Sequence, residues 1–155
     1  MKMGCWIVEM IVRCAQAGDK EKLISFLEKA NLGTAGVEES IDYFLLLEDE
    51  KGQVQATLGI EPLGEHGLLR SLAVTPKTGE NELLFIFEEM FKLAREKELK
   101  SLFLATNKHT SLSFFTVLGF EKEEKENLPQ VLFNSDHVKH ILNVDNSVFM
   151  VLKLG

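Results

Sequence analysis

The sequence predicts a mixed α/β (α+β) fold in one domain. Short turns join the early strands, so these strands are antiparallel neighbours. An amphipathic helix pattern at 81–97 separates two apolar strands, at 68–74 and 99–105, and a helical crossover makes such strands parallel. The 155 residues suffice for one core, and they contain neither an internal repeat nor a linker.

The first half of the chain is typical of strands with one early helix. Strands are predicted for 6–14, 43–47, 53–61 and 68–74, from their β-branched and apolar content. A helix is predicted for 19–31, with Asp19 as its N-cap, and residues 37–41 fit one further helical turn. Turns at 49–52 and 62–66 connect successive strands.

The second half alternates helices and strands. The 81–97 helix has one wide apolar stripe. A helix at 110–118 ends at Gly119 as its C-cap, and 121–127 reads as a strand edge or a turn. Pro129 and Ser135 are good first residues for helical turns at 129–133 and 136–142, and 147–154 is a closing strand.

Composition and charge argue against several classes of function. A net charge of −7 without a basic run argues against nucleic acid as a partner. No apolar run approaches the roughly 20 residues that cross a bilayer, and no signal peptide pattern is seen, so no membrane partner and a cytoplasmic location are expected. Cys5 and Cys14 read as free thiols, and His137 and His140 lack the further ligands of a metal site, so no metal is predicted.

Two motifs carry a resemblance to a known family. Residues 72–76 read Leu-Ala-Val-Thr-Pro, and residues 114–120 read Phe-Phe-Thr-Val-Leu-Gly-Phe. In this order, with a helix and a strand between them, they resemble motifs of the acyl-CoA-dependent N-acetyltransferases of the GNAT superfamily. The resemblance covers about residues 11–154. Residues 61–64, 68–74 and 128–129 resemble more closely a subgroup found with arsenic-resistance genes and similar to amino-acid N-acetyltransferases.

The resemblance implies a fold and an activity. The fold would be a single GNAT-like domain over 1–155, with a mixed, mostly antiparallel central sheet, a parallel strand pair at its centre and helices on both faces. The activity would be direct transfer of acetyl from acetyl-CoA, as co-substrate, to a primary amine of a small, amino-acid-like molecule. The backbone of Leu72, Ala73 and Val74 would hold the pantetheine arm and the oxyanion. A homodimer through a sheet edge, with 147–154 as the candidate strand, is left open.

The loop before the 81–97 helix departs from the family. Members usually carry a Gly-rich "R/Q-x-x-G-x-G/A" cradle, whose N–H groups and helix dipole hold the pyrophosphate. The corresponding residues here are Lys77, Thr78, Gly79, Glu80, Asn81, Glu82, Leu83 and Leu84. The usual arginine falls on Gly79 and the usual glycines fall on Glu80, Glu82 and Leu84. The alternative to a cofactor loop is therefore a well-capped structural helix with weakened or lost cofactor binding. A second hypothesis for the chain is a GNAT-fold protein that binds acyl-CoA or a partner without catalysis.

Three residues on neighbouring strands are candidates for the acceptor side. Glu61, at the end of its predicted strand, is the candidate general base, and the alternative is a solvated surface carboxylate. Arg70 and Ser71 interrupt an apolar strand and are expected on opposite faces. Arg70 needs a partner there, either a substrate carboxylate or an internal salt bridge, and Ser71 is counted as a catalytic candidate.

Three further residues are candidates for the cofactor side. Phe115 stands where many members have a tyrosine that protonates the leaving thiolate, so another group would serve, or the thiolate would leave to water. Phe114 and Phe115 fit core packing, and Phe115 also fits a place along the pantetheine. Asn107 follows the fifth predicted strand, where members often contact the cofactor, and helix capping is the equal alternative.

Overall fold

The computed structural model describes residues 10–144 and 146–155. Its seven strands are β1 (Met10–Cys14), β2 (Phe44–Asp49), β3 (Val54–Leu63), β4 (His66–Val74), β5 (Ser101–Thr106), β6 (Glu121–Glu123) and β7 (Val148–Lys153). Its α-helices are α1 (Lys20–Lys29), α2 (Glu80–Glu96), α3 (Leu112–Leu118) and α4 (Asp136–Leu142). The first part of the predicted 6–14 strand, residues 6–9, lies outside the described residues.

All seven strands belong to one sheet, in the order β1-β2-β3-β4-β5-β7-β6. β4 and β5 are parallel, with His66 opposite Ser101 and Leu68 opposite Phe103. The β1–β2, β2–β3, β5–β7 and β7–β6 pairs are antiparallel. The prediction of a mostly antiparallel sheet with a central parallel pair is therefore confirmed. β7 lies between β5 and β6, and β6 pairs with residues 149–151, so β7 is not an edge strand along that stretch. A homodimer stays a prediction.

The chain divides into two compact units. The first contains the described part of residues 1–60 together with 70–93. In it, consecutive buried residues along β2, from Phe44 to Leu47, mean that both faces of that strand are covered. Leu23 and Leu27 of α1 pack in one apolar cluster with Phe44, Leu46 and Ala73. Burial of this cluster stabilises the unit, because it removes apolar surface from water.

Phe44 also fixes a glycine on the neighbouring strand. Phe44 pairs with Gly59 of β3, and a Cβ atom on Gly59 would collide with the ring carbons of Phe44. Phe44 is fully buried, so its ring has nowhere to move. Gly59 is therefore needed for close approach of the ring rather than for an unusual backbone angle.

The second unit contains residues 61–69 and 94–155. Its apolar cluster joins strand residues to the chain between β6 and β7. The cluster contains Leu63, Leu68, Phe103, Leu128, Leu132, Val138, Phe149 and Val151. β5 is buried at four consecutive positions, from Ser101 to Leu104, so both of its faces are also covered.

Several local predictions need correction. Asp19 stands at the N-cap position of α1, but its side chain makes no capping bond. It accepts hydrogen bonds from the Arg13 guanidinium, both at 2.7 Å, and from the Gln16 N–H at 2.8 Å. The predicted helical turn at 37–41 is a run of hydrogen-bonded turns leading into a 3-10 helix at Ile41–Tyr43.

Two helices predicted in the second unit contain 3-10 helix in the structure. The predicted 110–118 helix opens as a 3-10 turn, His109–Ser111, before α3 begins. The predicted 129–133 turn is a 3-10 helix, Gln130–Asn134. Gly119 ends α3 with a left-handed φ of 108°, which confirms its C-cap role. Within 10–144 and 146–155, no helix has the length and apolar character that crossing a bilayer requires.

Candidate active site

The candidate residues divide between the two units. The first unit carries one group on β4 and in the loop that follows it: Arg70, Ser71, Leu72, Ala73, Val74 and residues 77–84. The second unit carries Glu61, Asn107, Phe114 and Phe115.

β4 is distorted at Ser71. Ser71 has a φ of 60°, in the left-handed region that serine rarely adopts within a strand. Its carbonyl oxygen accepts a hydrogen bond from the hydroxyl of Thr57, at 2.9 Å, and Thr57 is fully buried on β3. A residue in this conformation disturbs the alternation of side chains along a strand. The backbone strain at Ser71 is thus held by a buried side-chain hydrogen bond from the next strand.

The distortion brings Arg70 and Ser71 together. Arg70 Nε donates to Ser71 Oγ at 3.1 Å, so the expectation that these side chains point to opposite faces is wrong. Arg70 Nη1 also donates to the carbonyl of Ala35 at 2.9 Å. The guanidinium carbon lies 5.7 Å from the ring centroid of Phe44, within cation–π range. These contacts fix Arg70 against its own unit, and its binding of a substrate carboxylate stays a prediction.

β4 exposes apolar side chains beyond the distortion. Leu72 is 36% exposed and Val74 is 50% exposed, whereas Ala73 between them is buried in the core cluster. Large apolar side chains on a strand are usually covered, because exposure of apolar surface is unfavourable by roughly 25 cal/mol per Å². This short apolar strip is therefore suited to an apolar ligand.

The loop after β4 is anchored to β3 through Gln55. The Thr75 N–H and the Thr78 hydroxyl both donate to the Gln55 carbonyl, at 2.8 and 2.9 Å. The Thr75 hydroxyl contacts the Gln55 side-chain oxygen. Gln55 is itself buried. The turn that precedes α2 therefore has a fixed position on the strand below it, while Lys77 is exposed.

Glu82 caps the N-terminus of α2. Its Oε1 accepts a hydrogen bond from the Gly79 N–H at 2.8 Å, the pattern of a third helical residue reaching back to the residue before the helix. A Cβ atom on Gly79 would stand 2.7 Å from that same Oε1, so glycine suits this arrangement. The Glu82 carboxylate therefore already accepts a hydrogen bond from a backbone N–H that a bound anion would otherwise use. Glu80 and Asn81 are exposed on the first turn.

Glu61 is held by a serine from a distant part of the chain. The hydroxyl of Ser135 donates to Glu61 Oε1 at 2.6 Å. The same hydroxyl accepts a hydrogen bond from the Val138 N–H at 3.2 Å and so caps α4, as predicted for Ser135. Glu61 is half-buried, and Ser135 holds one of its oxygens, so its role as a general base or as a surface carboxylate stays a prediction.

Phe115 belongs to an aromatic cluster. It is buried, and its ring meets those of Phe114 and Phe120 edge to face, with centroids 5.5 and 6.0 Å apart. These contacts agree with core packing. Asn107 is exposed in the segment between β5 and the 3-10 turn. The capping alternative for Asn107 is wrong, because Lys108 and Ser111 occupy the N-cap positions there.

The sequence reasoning missed Gln55 and Thr57. Both residues are buried on β3, and both hold the following strand or loop. Two polar residues in alternate positions of an otherwise apolar strand could have indicated a buried anchoring role. Ser135 was recognised only as a helix cap, because nothing local connects it to Glu61.

Comparison with solved structures identifies the class of fold as that of the GNAT acetyltransferases. N-acetylglutamate synthase from Neisseria gonorrhoeae, complexed with coenzyme A and N-acetyl-glutamate, matches with a TM-score of 0.76 and 18% identity, over 96% of this chain. The chain spans 36% of that synthase. Rv2747 from Mycobacterium tuberculosis, in complex with CoA and a second ligand, matches with a TM-score of 0.73 and 21% identity, over 94% of this chain and 99% of that one. A GNAT-family acetyltransferase from Staphylococcus aureus Mu50 gives 0.69 and 16% over 95% of this chain and 100% of that one.

The chain belongs to the same family as the uncharacterized protein YwlB of Bacillus subtilis (strain 168). The two are 34% identical over 140 residues, which cover 90% of this chain and 94% of YwlB. No protein-family model matches the chain. The prediction of a GNAT fold is confirmed, whereas the finer likeness to the subgroup found with arsenic-resistance genes stays a prediction.

Proposed function

We propose that this chain is an acyl-CoA-dependent N-acetyltransferase, one domain over 1–155, which moves acetyl from acetyl-CoA to a primary amine of a small molecule. The observation that carries the proposal is β4, where the distortion at Ser71 is followed by the exposed apolar strip of Leu72 and Val74. The GNAT fold adds support, because two of the matched proteins were crystallised with coenzyme A.

The strip of β4 fits the acyl donor. The pantetheine arm is extended, with amide groups and apolar methylenes, so it can pair with a strand as a neighbouring strand would. Leu72 and Val74 would pack against its apolar parts. A backbone N–H of 72–74 would stabilise the oxyanion that forms as the amine attacks the thioester carbonyl. Phe115 cannot donate a proton, so the leaving thiolate would take its proton from water.

The loop fits a pyrophosphate only after a side-chain movement. Lys77 and the Gly79 N–H are suitable groups for an anion, but the carboxylate of Glu82 holds that N–H. Rotation of Glu82 away from Gly79 would free the donor at the cost of one capping hydrogen bond. Donor binding by this chain is therefore expected to be weaker than an uncapped glycine-rich loop would give.

Glu61 would act as the general base. The acceptor arrives as an ammonium ion, and Glu61 Oε2 would take one of its protons, directly or through water, to leave a neutral amine. The amine nitrogen then forms a bond to the thioester carbon, and the carbon–sulfur bond breaks as the tetrahedral intermediate collapses. Of the two hydrogens then on nitrogen, one stays in the amide and the other passes to solvent. Glu61 also releases its proton to solvent, and the thiolate takes one proton back from water. The reaction so written gives an amide, a thiol and one proton.

An amino-acid-like acceptor is the proposed substrate class. N-acetylglutamate synthase was crystallised with N-acetyl-glutamate in one structure and with L-arginine in another. Arg70 is a cation that a substrate carboxylate could approach, and its position is fixed by Phe44 and Ala35. The proposal assigns Arg70 to that carboxylate, with Ser71 beside it.

A second candidate is a GNAT-fold protein that binds acyl-CoA, or a partner, without transfer. The Glu82 to Gly79 hydrogen bond and the lack of a tyrosine at Phe115 favour it. An assay separates the two. The purified chain would be mixed with acetyl-CoA and a panel of amino acids and other primary amines, with free thiol and acetylated product both measured. Product with at least one amine, lost in Glu61→Ala, supports the enzyme, whereas CoA binding without product across the panel supports the alternative.

A further inference from the structure

Ser135 uses every polar group that it has. Its N–H donates to the Leu132 carbonyl at 3.1 Å, and its carbonyl accepts from the Lys139 N–H at 3.1 Å. Its hydroxyl accepts from the Val138 N–H and donates to Glu61 Oε1. The residue is only 1% exposed, so water does not compete for these bonds.

The direction of the hydroxyl proton follows from these contacts. A serine hydroxyl has one proton to donate. The Val138 amide can only donate, so it takes a lone pair of Ser135 Oγ, and the proton points to Glu61 Oε1. One oxygen of the carboxylate is thereby held, and Oε2 is the oxygen left for a substrate proton.

The serine stands on rigid supports. Leu132 and Val138, on either side of it, are fully buried in the apolar cluster of the second unit. That cluster also contains Leu63, two residues after Glu61 on β3. Movement of Ser135 would therefore disturb close-packed side chains on both sides, and such packing resists small displacements.

We propose that Ser135 is the positioning residue for Glu61: its hydroxyl locks one carboxylate oxygen and aims the other at the amine. This inference rests on the proposed function, because the role of Glu61 as base comes from it. It assigns to Ser135 a role beyond the helix cap that the local sequence predicts, and it makes the start of α4 part of the machinery. Ser135 touches neither donor nor acceptor in this account.

Two substitutions separate positioning from capping. Ser135→Gly removes the hydroxyl, yet glycine is an acceptable N-cap, so α4 is retained. Ser135→Thr keeps the hydroxyl and serves as the conservative control. Loss of a hydrogen bond to a charged group lowers kcat by roughly 10- to 100-fold in Ser135→Gly, with the KM for acetyl-CoA unchanged. Ser135→Thr keeps kcat within about threefold of the unmodified protein.

A double-mutant cycle with Glu61→Ala provides the decisive readout. If Ser135 acts through Glu61, Ser135→Gly changes kcat by less than about twofold once Glu61 is absent, because the interaction is already lost. An equal fold-loss in both backgrounds would overturn the proposal, as would failure of Ser135→Thr to restore kcat. A purely structural role would give the equal loss.

The four proteins of the cycle (the unmodified protein, Ser135→Gly, Glu61→Ala and the double variant) are also compared by urea unfolding, which requires no activity. Coupling between the two positions in the unfolding midpoints supports the Ser135 to Glu61 contact, even if no amine is acetylated and the proposed function fails. Additive midpoints overturn this inference, even in an active enzyme. The two failures are therefore distinguishable.

Discussion

Replacement of Glu82 by alanine should strengthen CoA binding while it weakens the fold. Glu82 Oε1 lies 2.8 Å from the Gly79 nitrogen, so an incoming phosphate must first displace a charged capping group. That hydrogen bond is worth about 1 kcal/mol, and the carboxylate gains a further 0.3–1 kcal/mol, roughly, from the helix dipole. Both terms oppose the ligand in the unmodified protein. Their sum, about 1.3–2 kcal/mol, corresponds to an affinity gain of roughly 9- to 30-fold in Glu82→Ala.

Glu80→Ala is the matched control. Glu80 lies on the same helical turn with the same charge, but it is exposed, and Glu82 is the residue that contacts the Gly79 N–H. Its removal relieves only screened repulsion, so the gain should stay below about fivefold. Calorimetric titration with CoA measures both variants. S-acetylpantetheine, which has no pyrophosphate, should bind all three proteins alike.

In thermal unfolding, Glu82→Ala should show a loss of stability, in contrast to its gain in CoA affinity. Glu82→Ala loses both the capping hydrogen bond and the dipole interaction and should be less stable by about 1.3–2 kcal/mol, although it binds CoA more tightly. Equal gains in the two variants would mean that charge alone matters, and the capping argument would be refuted. So would an unchanged or weaker affinity in a folded Glu82→Ala protein.

Two further predictions concern stability. Gly59→Ala places a Cβ against the buried ring of Phe44, so the free energy of unfolding measured in urea should fall by about 3 kcal/mol. The control Gly33→Ala has no atom near its new Cβ and should change that free energy by less than about 1 kcal/mol. Similar costs for the two substitutions would show that the Phe44 ring is not the cause. Hydrogen bonds from Arg13 hold the pKa of the Asp19 carboxyl at about 2, below its ordinary value of 3.8. Because this pKa is lowered, the stabilisation is complete above about pH 4 and is lost as the pH falls to about 2. The free energy of unfolding should exceed that of Asp19→Asn by about 2 kcal/mol at neutral pH, and this difference should shrink between about pH 4 and about pH 2. A difference that stays constant with pH would contradict the prediction.

The order of strands and helices could be predicted because it depends on local patterns. The predicted 68–74 strand begins two residues after β4 and ends with it, and the predicted 81–97 helix differs from α2 by one residue at each end. Apolar periodicity, Gly119 and the short early turns carried that information. The parallel pairing followed from the helical crossover, whereas the central place of that pair in the sheet followed from the family resemblance.

The distortion of β4 could not be predicted in this way. Ser71 has no glycine or turn motif beside it in the sequence that would indicate a left-handed conformation. In the structure, this conformation is accompanied by a hydrogen bond from the hydroxyl of Thr57 on another strand. The expected separation of Arg70 and Ser71 failed for this reason, since strict alternation assumes a regular strand.

Long-range charge pairing also overrode a local rule at Asp19. The residue occupies the N-cap position that its type predicts, but Arg13 takes its carboxylate. Arg13 in turn pairs with the buried Glu48, which Lys22 also contacts at 2.8 Å. A capping bond is worth about 1 kcal/mol, whereas leaving a buried charge unpaired costs more, so the network prevails.

The pairing of Glu61 with Ser135 lies beyond any local signal, because 74 positions separate them. Each residue alone has an ordinary reading, as a strand-end carboxylate and as a helix cap. Only the packing of the α4 segment onto the end of β3, through the shared apolar cluster, joins the two.

The proposed binding site of the acyl donor on β4 is tested most directly by calorimetric titration of acetyl-CoA into the unmodified protein, Val74→Asp and Ile11→Asp. Both positions are exposed β-branched residues on strands, at 50% and 59%, so neither substitution should unfold the chain. We expect binding by the unmodified protein and by Ile11→Asp. The affinity should be at least about tenfold weaker in Val74→Asp, because the pantetheine arm would desolvate a carboxylate on the strip. Equal binding by all three proteins, or none by the unmodified chain, would contradict a donor site on β4.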